Sequence, residues 1–391
     1  MANLRLIKFN DFITLQRGFD LPKKDMIGVS YPVVGSTSII GYHNEYKVLP
    51  PGVVTGRSGS LGEIQYIREK YWPHNTSLWV KDFKGNFPKY IYYFLKTLDL
   101  KRFNSGVGVP TLNRNDLDTL EVAIHDHPTQ FKIASILSAY DDLIENNIRR
   151  IKILEEMAQA IYKEWFVNFR FPGHEKVKMV DSELGNIPEG WEVATFKDLV
   201  NFIKEGTKSG EHLINRIYVP IDCLPRKSLT LLESKSWEEA KSSLLLFNKG
   251  DILFGAMRAY FHKVVIAPFD GVTRTTCFIL RAKSSEYFGY SVMLAFQEDT
   301  VGFANAHSKG ATIPYAVWDG SLADMKIVLP SKHILINFNK CISPILNFLQ
   351  ASYLKLNNLG KTRNLLLPKL ISGEIDAGQL NVGVSINEQT V

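Results

Sequence analysis

The residues best suited to chemistry in this chain are arginines and small polar residues that recur in Gly-rich loops. Arg57 lies within the segment GRSGSLG (56–62), where small neighbours allow a ligand to approach the backbone closely. An arginine in such a loop can form two parallel hydrogen bonds to a guanine edge or to a phosphate. These loops therefore favour nucleic-acid binding, although a single loop of this kind is more often only a solvated surface.

Candidate DNA-binding residues occur at loop positions in both halves of the chain. In the first half they are Arg17, Lys23, Lys24, Arg57, Ser58, Ser60, His74, Asn75, Arg102, Asn104, Asn113 and Arg114. In the second half they are Lys208, Arg258, Tyr260, Arg274, Thr275, Thr276, His307 and Lys309. Base reading needs donors and acceptors presented by loops, and phosphate contacts need basic side chains. The recurrence of such residues in both halves favours contact with DNA.

The sequence patterns of the common enzyme classes are missing from the chain. There is no HExxH zinc motif, no GxSxG elbow and no Asn/Asp-Pro-Pro-aromatic pattern of an amino-methyltransferase. The GKT triplet at 360–362 ends like a Walker A motif, but Lys355 occupies the place of its first glycine. His125 and His127 lack a further ligand partner nearby in the sequence. We therefore predict no catalytic and no metal-binding residues. The absence of these motifs favours a binding protein over an enzyme.

The charge balance permits a nucleic-acid partner without requiring one. The chain has 46 Lys and Arg residues against 40 Asp and Glu residues, a formal net charge of +6. Hydrophobic residues make up 45% and aromatic residues 12%, which argues against global disorder. At about 100–200 residues per domain, the length of 391 residues predicts two or three domains.

The sequence gives no indication of export or of a membrane span. No apolar run approaches the ~18 residues that cross a bilayer. The charged start MANLRLIKFNDF is unlike a secretory signal. The three cysteines, Cys223, Cys277 and Cys341, are far apart and odd in number, which is typical of reduced thiols. We therefore expect a cytoplasmic protein.

An internal repeat relates the two halves of the chain. The segment SGVGVPTLNRNDLDTLEVAIHDHP (105–128) has a counterpart in SKGATIPYAVWDGSLADMKIVLP (308–330). In both, a serine and a glycine precede a proline, and polar residues then lead into a short apolar strand. Pro110 pairs with Pro314 in this comparison.

A second pair of segments lies upstream of the first. PPGVVTGRSGSLG (50–62) resembles NKGDILFGAMRAY (248–260). In both, a glycine opens an apolar strand that delivers an arginine, which is Arg57 in one and Arg258 in the other. Apolar runs bounded by turn residues predict strands at 31–35, 52–56, 76–80, 251–255, 263–267 and 276–280, and helical spacing predicts helices at 89–99 and 286–296.

A long helix is predicted after each of the two mixed regions, from apolar residues at steps of three and four. The first stripe consists of Leu137, Tyr140, Ile144, Ile148, Ile151, Leu154, Ala158 and Ile161. The second consists of Ile342, Leu346, Leu349, Tyr353, Leu356, Leu359 and Leu366, and the charged residue Arg363 lies at the same spacing between the last two. Pro344 is expected to kink or start the second helix. Each helix could merely cap its own domain, but length and duplication favour packing of the two helices against each other.

The predicted fold class is α+β, with two mixed α/β globules joined by two long helices. We assign residues 1–128 and 190–330 to the globules, 129–172 and 331–377 to the helices, 173–189 to a linker and 378–391 to a flexible tail. Each globule is expected to read one short DNA element, and the helices are expected to fix the distance between the two elements.

Three local segments, together with this order of elements, carry a family resemblance. They are LGNIPEGWEV (184–193), LEEMAQAIYKEWFVNF (154–169) and TRNLLLPKLISGEI (362–375). Over essentially its whole length, the chain resembles the specificity subunit of a Type I restriction–modification system. The first globule departs from the pattern, because it lacks its own PEGW opening and starts directly at LRLIKFNDF.

The resemblance implies a non-catalytic DNA-recognition subunit that serves in phage defence. It implies an internal pseudo-twofold repeat, helices packed as an antiparallel coiled coil, and a bipartite, asymmetric DNA target. Two methyltransferase subunits are implied as partners, with S-adenosylmethionine as their methyl donor and a flipped adenine as their substrate. The resemblance also implies restriction subunits, which join the complex that this chain forms with the methyltransferase subunits. The cofactors S-adenosylmethionine, ATP and Mg are then expected in the partners, with none in this subunit.

Apolar residues on the two helices are the candidate contacts to these partners. They are Trp165, Phe166, Phe169, Leu367, Leu370 and Ile371. The alternative is that the same residues seal the helix pair. Two rival functions also stay open: a free-standing DNA enzyme, against which the missing motifs argue, and a coiled-coil adaptor without DNA contact, against which the duplicated basic loops argue.

Overall fold

The chain forms two compact units, and each long helix contributes residues to both. The computed structural model describes residues 4–106 and 108–380. Unit 1 is built from the chain up to residue 143 and from residue 360 onward, and unit 2 is built from residues 144–359. Each unit therefore holds one mixed α/β globule and a part of both helices. From position 381 onward, the predicted tail lies outside the described residues.

Strands alternate with short helices in the globule of unit 1. The strands are β1 (Arg5–Lys8), β2 (Thr14–Arg17), β3 (Tyr31–Val34), β4 (Ile39–His43), β5 (Gly52–Gly56), β6 (Ile64–Ile67), β7 (Trp72–Pro73), β8 (Ser77–Asp82) and β9 (Glu121–Ile124). The helices are α1 (Phe9–Phe12), α2 (Pro88–Thr97), α3 (Arg114–Asp118) and the start of the long helix α4 (His127–Tyr162). One sheet has the strand order β2-β8-β5-β6, a second has the order β4-β3-β7, and β1 pairs with β9.

Unit 2 follows the same plan with a few additional strands. Its strands are β10 (Met179–Ser182), β11 (Gly185–Pro188), β12 (Glu192–Thr195), β13 (Val200–Phe202), β14 (Gly206–Thr207), β15 (Ile217–Tyr218), β16 (Leu244–Phe247), β17 (Ile252–Gly255), β18 (Val264–Ile266), β19 (Gly271–Arg274), β20 (Cys277–Ala282) and β21 (Lys326–Leu329). Its helices are α5 (Phe196–Leu199), α6 (Ser285–Ala295), α7 (Glu298–Ala306) and much of the long helix α8 (Lys332–Ile371). The strand orders are β13-β20-β17-β18 and β14-β16-β19-β15, with pairs β12-β21 and β10-β11.

The two globules share a core of one topology, which confirms the predicted repeat. The sheet β2-β8-β5-β6 corresponds strand for strand to β13-β20-β17-β18, and the pair β1-β9 corresponds to β12-β21. The central strands β5 and β17 are buried along their whole length, which explains why both read as continuous apolar runs. The six predicted strands are confirmed as β3, β5, β8, β17, β18 and β20, and the two predicted short helices as α2 and α6.

The second sheet and the opening segment distinguish the two globules. The second sheet has three strands in unit 1 and four in unit 2. Unit 2 also opens with the hairpin β10-β11, after which Trp191 stacks on Phe171 with ring centroids 5.1 Å apart. The PEGW segment therefore packs the end of the first helix region against the second globule.

Within unit 1, the two long helices run in opposite directions. The Arg363 guanidinium on α8 donates to the Asp141 carboxylate on α4, with 2.6 Å between Nη1 and Oδ1. Farther along α8, the Leu370 carbonyl lies 3.0 Å from Nε2 of His125, which precedes α4. The position on α8 thus rises as the position on α4 falls, so this part of the helix pair is antiparallel.

Unit 2 shows the same direction in its own part of the helices. The Arg150 guanidinium lies over the Phe348 ring, 4.9 Å from its centroid. Toward the end of α4, the rings of Tyr162 and Phe338 have centroids 6.4 Å apart. The predicted antiparallel packing is therefore confirmed in both units.

The helix stripes are confirmed with three corrections. Ile148 is exposed, and the polar side chain of Asn147 takes its place on the buried face of α4. Glu155 is also buried on this face. Of the two alternatives for Pro344, a kink or a helix start, the structure excludes the start, because α8 continues through it from Lys332. A helix that packs along its length tolerates the loss of the one hydrogen bond that proline removes. Among the helices of the described residues, none is long and apolar enough to cross a membrane.

Candidate nucleic-acid interface

In unit 1, three loops are joined by backbone hydrogen bonds beyond the end of β5. The Arg57 amide donates to the Thr76 carbonyl at 2.8 Å. The Gly59 amide donates to the Pro110 carbonyl at 2.9 Å. The Leu112 amide donates back to the Arg57 carbonyl at 2.8 Å. We call this set of bonds the loop frame, and it holds the three predicted loops side by side.

Unit 2 repeats the loop frame bond for bond. The Ala256 amide donates to the Thr276 carbonyl at 2.9 Å. The Arg258 amide donates to the Pro314 carbonyl at 2.8 Å, and the Ala316 amide donates to the Ala256 carbonyl at 2.8 Å. Pro314 therefore takes the place of Pro110 in unit 1, as the sequence repeat predicted.

The loop frame corrects the predicted equivalence of Arg57 and Arg258. Arg57 occupies the place of Ala256, and Arg258 occupies the place of Gly59. Gly59 has φ +88° and Arg258 has φ +53°, so both adopt the left-handed conformation that favours glycine. The weak similarity of the segments hid this two-residue offset. The two units thus present an arginine from different positions of one frame.

A cleft of about 780 Å³ lies beside the loop frame of unit 1, and we call it the arginine cleft. It brings together four predicted residues, Arg17, Arg57, Asn113 and Arg114. The Arg57 guanidinium donates to the Asn75 carbonyl at 3.3 Å. The Arg114 guanidinium donates to the Leu15 carbonyl at 3.4 Å. Each bond uses one of the five N–H donors of a guanidinium group and orients the others. The arrangement suits hydrogen-bond acceptors such as base edges and phosphates.

The sequence analysis missed most of the residues that complete the arginine cleft. They are Gln16, Gly18, Phe19, Asp20, Leu78, Ser105, Thr111 and Leu112. Asp20 is the acidic member, and it accepts a hydrogen bond from Arg17 at 3.1 Å and another from the side-chain amide of Asn75. The Asn75 bond holds the pKa of Asp20 below its ordinary value. The pair could have been predicted from the sequence, because Arg17 and Asp20 lie three residues apart in the segment RGFD.

A second cleft of unit 1 adjoins the first through Asp20. Of the predicted residues it contains Lys23, His74 and Asn75. His74 is bonded on both ring nitrogens, with Nε2 3.2 Å from the Leu21 carbonyl and Nδ1 2.9 Å from the Thr76 hydroxyl. His74 therefore positions the loop, while Lys23 is exposed. Lys24 is exposed next to it.

The other predicted residues of unit 1 have different positions. The Asn104 side-chain oxygen accepts from the Gly106 and Thr111 amides at 3.0 and 2.9 Å, so it organises its own loop. Ser58 lies half-buried within the loop frame, and Ser60 is exposed beyond it. Arg102 is not in the arginine cleft: it borders a separate one and lies 4.7 Å from the centroid of the Phe103 ring.

A cleft of about 370 Å³ in unit 2 contains two predicted residues, Arg274 and Thr276. The sequence analysis missed the others, which are Tyr218, Pro220, Ile221, Asp222, Lys235, Glu239 and Met257. Next to this cleft, the Tyr315 hydroxyl donates to the Thr275 carbonyl. Burial raises the pKa of Tyr315 to about 12, so this hydroxyl stays neutral and can donate at physiological pH.

The remaining predicted residues of unit 2 surround its loop frame. Tyr260 is exposed beside Phe261, and Arg226, which the sequence analysis missed, lies 3.9 Å from the Phe261 ring centroid. The Lys309 backbone pairs with Tyr315 at 2.9 and 2.8 Å, and its side chain is exposed. His307 stacks on Phe303, with ring centroids 4.1 Å apart, and Lys208 is exposed outside the cleft.

The structure corrects three of the predicted partner-binding residues. Leu370 and Ile371 lie in the core of unit 1, and Phe166 lies in the core of unit 2. Leu370 has no accessible surface, and Ile371 and Phe166 are only 5% and 7% exposed, so these three seal their own units. Trp165 and Phe169 are partly buried against the core of unit 2, and Leu367 is partly buried against that of unit 1. Within the described residues, no group of three or more His, Cys, Asp or Glu could hold a metal ion.

Known proteins resemble this chain along most of its length. Residues 6–156 match the family described as Type I restriction modification DNA specificity domain. The Type I restriction enzyme MjaIX specificity subunit of Methanocaldococcus jannaschii is 27% identical over 356 residues, which cover 85% of this chain and 80% of that protein. The Type I restriction enzyme HindI specificity subunit of Haemophilus influenzae is 22% identical, covering 68% of this chain and 71% of that protein.

A solved structure shares the fold. The crystal structure of a Type I restriction–modification system S subunit from M. genitalium has a TM-score of 0.66 to this chain at 15% identity, covering 95% of this chain and 96% of that one. Two copies of one mixed globule and a pair of long helices make up the fold that this chain shares with that S subunit. The predicted resemblance to the specificity subunits of Type I restriction–modification systems is confirmed. Both relatives are named specificity subunits, in agreement with the prediction of a DNA-recognition subunit.

Proposed function

We propose that the chain recognises a bipartite, asymmetric DNA target for a Type I restriction–modification complex, with one half-site read by each unit. The loop frame is the observation that carries this proposal. The same backbone bonds hold the loops of both units, but Arg57 stands where unit 2 has Ala256, and Arg258 stands where unit 1 has Gly59. Because the loop frame occurs in both units, the chain has two comparable reading surfaces. Different side chains on that frame give half-sites of different sequence.

The reading surface of unit 1 is the arginine cleft, and that of unit 2 is the loop frame with Arg258 and Arg274. Guanidinium groups suit guanine edges and phosphates, and each reading surface holds at least one arginine beside polar loop atoms. The exposed lysines around these surfaces, Lys23, Lys24, Lys208 and Lys309, supply phosphate contacts. Phosphate contacts position the protein, and the loop residues read the bases.

The two long helices set the spacer between the half-sites. α4 has 36 residues and α8 has 40, and each helix contributes to both units. Within each unit the two helices pack antiparallel, which supports the proposal that half-site spacing is a geometric property of the protein. We retain 1–128, 129–172, 173–189, 190–330 and 331–377 as the proposed functional segments.

The chain also scaffolds two methyltransferase subunits and, through them, the restriction subunits. Exposed apolar residues on α4 replace the buried ones as the proposed docking surface: Ile153 and Met157 are 54% and 48% exposed and lie four residues apart on one helix face. S-adenosylmethionine, ATP and Mg belong to these partners. The site of action is the cytoplasm, where the host DNA lies.

The proposal is tested by sequencing methylated bases in host DNA with and without this chain. We expect adenine methylation at a bipartite motif that disappears when the gene for this chain is deleted and returns when it is restored. Expression of the methyltransferase subunit must be verified in every strain. Unchanged methylation in the deletion strain, with that subunit present, contradicts the proposal.

A further inference from the structure

Asp20 is an acidic residue in the most basic part of the interface proposed for unit 1. It lies in the loop after β2 and lines both clefts of this unit. Arg17, Arg57 and Arg114 share the first cleft with it, and Lys23 shares the second. Its side chain is 73% exposed, so a ligand in either cleft can reach it.

Two neighbours hold the Asp20 carboxylate in place by one of its oxygens. Arg17 donates to Oδ1 at 3.1 Å, and the Asn75 side-chain amide donates to the same oxygen. In the described part of the chain, both donors to this carboxylate bond Oδ1, and no donor bonds Oδ2. A carboxylate oxygen has room for about two hydrogen bonds, so Oδ2 is available as an acceptor on an oriented group. The low pKa of Asp20 keeps this acceptor ionised at neutral pH.

A carboxylate in this place is suited to a different ligand from that of the surrounding arginines. The carboxylate repels phosphates, so it weakens the electrostatic attraction between this surface and the DNA backbone. DNA offers a carboxylate hydrogen-bond donors on its base edges, and in the major groove these are the amino groups of cytosine N4 and adenine N6. In the major groove, a hydrogen bond from a base edge to this carboxylate therefore requires such an amino group.

We propose that Asp20 determines specificity by accepting a hydrogen bond from an exocyclic amino group, of cytosine or adenine, in the half-site read by unit 1. This inference rests on the proposed function. The neighbouring arginines then read acceptors on adjacent bases or phosphates, while Asp20 reads a donor. Arg17 and Asn75 act as positioning residues for Asp20.

The test compares the wild-type chain with Asp20→Asn, each expressed with its methyltransferase partner in a host whose methylated motif is sequenced. The variant keeps the size of the side chain and removes its charge. We expect one base pair in one half of the motif to become variable, with the other half and the spacer unchanged. The wild-type motif then shows whether the lost contact was to a cytosine or to an adenine.

Binding to duplex oligonucleotides by the assembled complex measures the same contact. Changing the identified base pair should weaken binding by the wild-type complex about tenfold, the order of one base contact. The same change should weaken binding by the Asp20→Asn complex less than threefold, which corresponds to less than about 0.65 kcal/mol. Asp142→Asn is the matched control, because Asp142 also pairs with an arginine at 3.1 Å in unit 1 and lies outside both clefts.

Two results overturn the proposal. One is a motif that is unchanged in Asp20→Asn. The other is a uniform fall in methylation with every base requirement intact, which would mean that Asp20 only orders Arg17 and Asn75. A wild-type chain that directs no bipartite methylation would instead refute the proposed function, so the two failures are distinguishable. Retention of the half-site read by unit 2 shows that the variant is folded.

Discussion

Unit 1 and unit 2 hold the same loop frame but place different side chains on it. Three arginines line the cleft of unit 1, whereas the cleft of unit 2 combines Arg274 with Lys235 and Glu239. The bonds of the frame join backbone amides to backbone carbonyls, and such bonds form with almost any side chain. Because backbone bonds hold the loop frame, the side chains of the reading surface can change without loss of the fold.

The units also differ in how α4 is anchored to each globule. In unit 1, buried Gln130 accepts from the Phe87 amide at 3.0 Å and donates to Asn86 at 2.8 Å. In unit 2, buried Glu155 accepts from Ser228 and from the Leu229 amide, both at 2.8 Å. A neutral amide anchors one globule and a carboxylate anchors the other. Breaking a buried charged anchor costs more than breaking a neutral one.

The largest expected effect comes from exchanging a whole reading module. Replacing residues 1–128 by the matching segment of another specificity subunit should replace one half of the methylated motif. The other half and the spacer should persist, because the loop frame of unit 2 is formed by residues of unit 2 alone. Sequencing of methylated host DNA measures this. If the exchange altered both halves, the comparison of two independent units would fail.

Truncation of the charged anchor should be the next largest effect. Glu155→Ala leaves the buried Leu229 and Thr230 amides and the Ser228 hydroxyl without their acceptor, which should lower the free energy of unfolding by about 3 kcal/mol. Gln130→Ala is the comparison in unit 1 and should cost less, about 1–2 kcal/mol. Chemical denaturation of the purified chain measures both. If both variants lowered the free energy of unfolding by the same amount, the proposed difference between the charged and the neutral anchor would be wrong.

The pH dependence of unfolding sharpens the same contrast. Burial raises the pKa of Glu155 above its ordinary value, against the hydrogen bonds that lower it. The folded state therefore binds a proton more tightly than the unfolded state. As the pH falls from neutral through the folded-state pKa toward the ordinary carboxyl value, the wild-type chain should gain stability relative to Glu155→Gln. A constant difference between the two across this range would argue against the burial effect.

The smallest expected effect concerns the left-handed position that the two frames share. Arg258→Gly should stabilise unit 2 by about 1 kcal/mol, because glycine adopts φ +53° without strain. Arg258→Ala retains the strain and should be no more stable than the wild type. Both variants lose the guanidinium group, so both should weaken binding of the half-site read by unit 2 by about 1–3 kcal/mol. Thermal unfolding and duplex binding separate the two effects. A gain in stability with alanine as large as that with glycine would contradict the assignment of strain.

The organisation of this protein can be predicted from its amino-acid sequence alone. Apolar periodicity follows from local burial, so it located the central strands, the two long helices and the repeat of the globule. The segments around PEGW and LLLPKLISGEI identified the class of protein, which the comparisons confirm. Loop residues of the right chemical type were also recognisable, because donors and small residues stand out between apolar runs.

Which of those residues lie together is visible only in the folded structure. Arg57 and Arg258 belong to different positions of the frame because hydrogen bonds to residues more than 50 positions away along the chain, at Pro110 and Pro314, fix the register. Long-range contacts likewise buried Leu370 and brought Asp20 to Asn75. Local sequence reports which face of an element is buried. Which loops meet in a cleft depends on backbone hydrogen bonds between distant segments. Such bonds form with almost any side chain, so they produce no periodic pattern in the sequence.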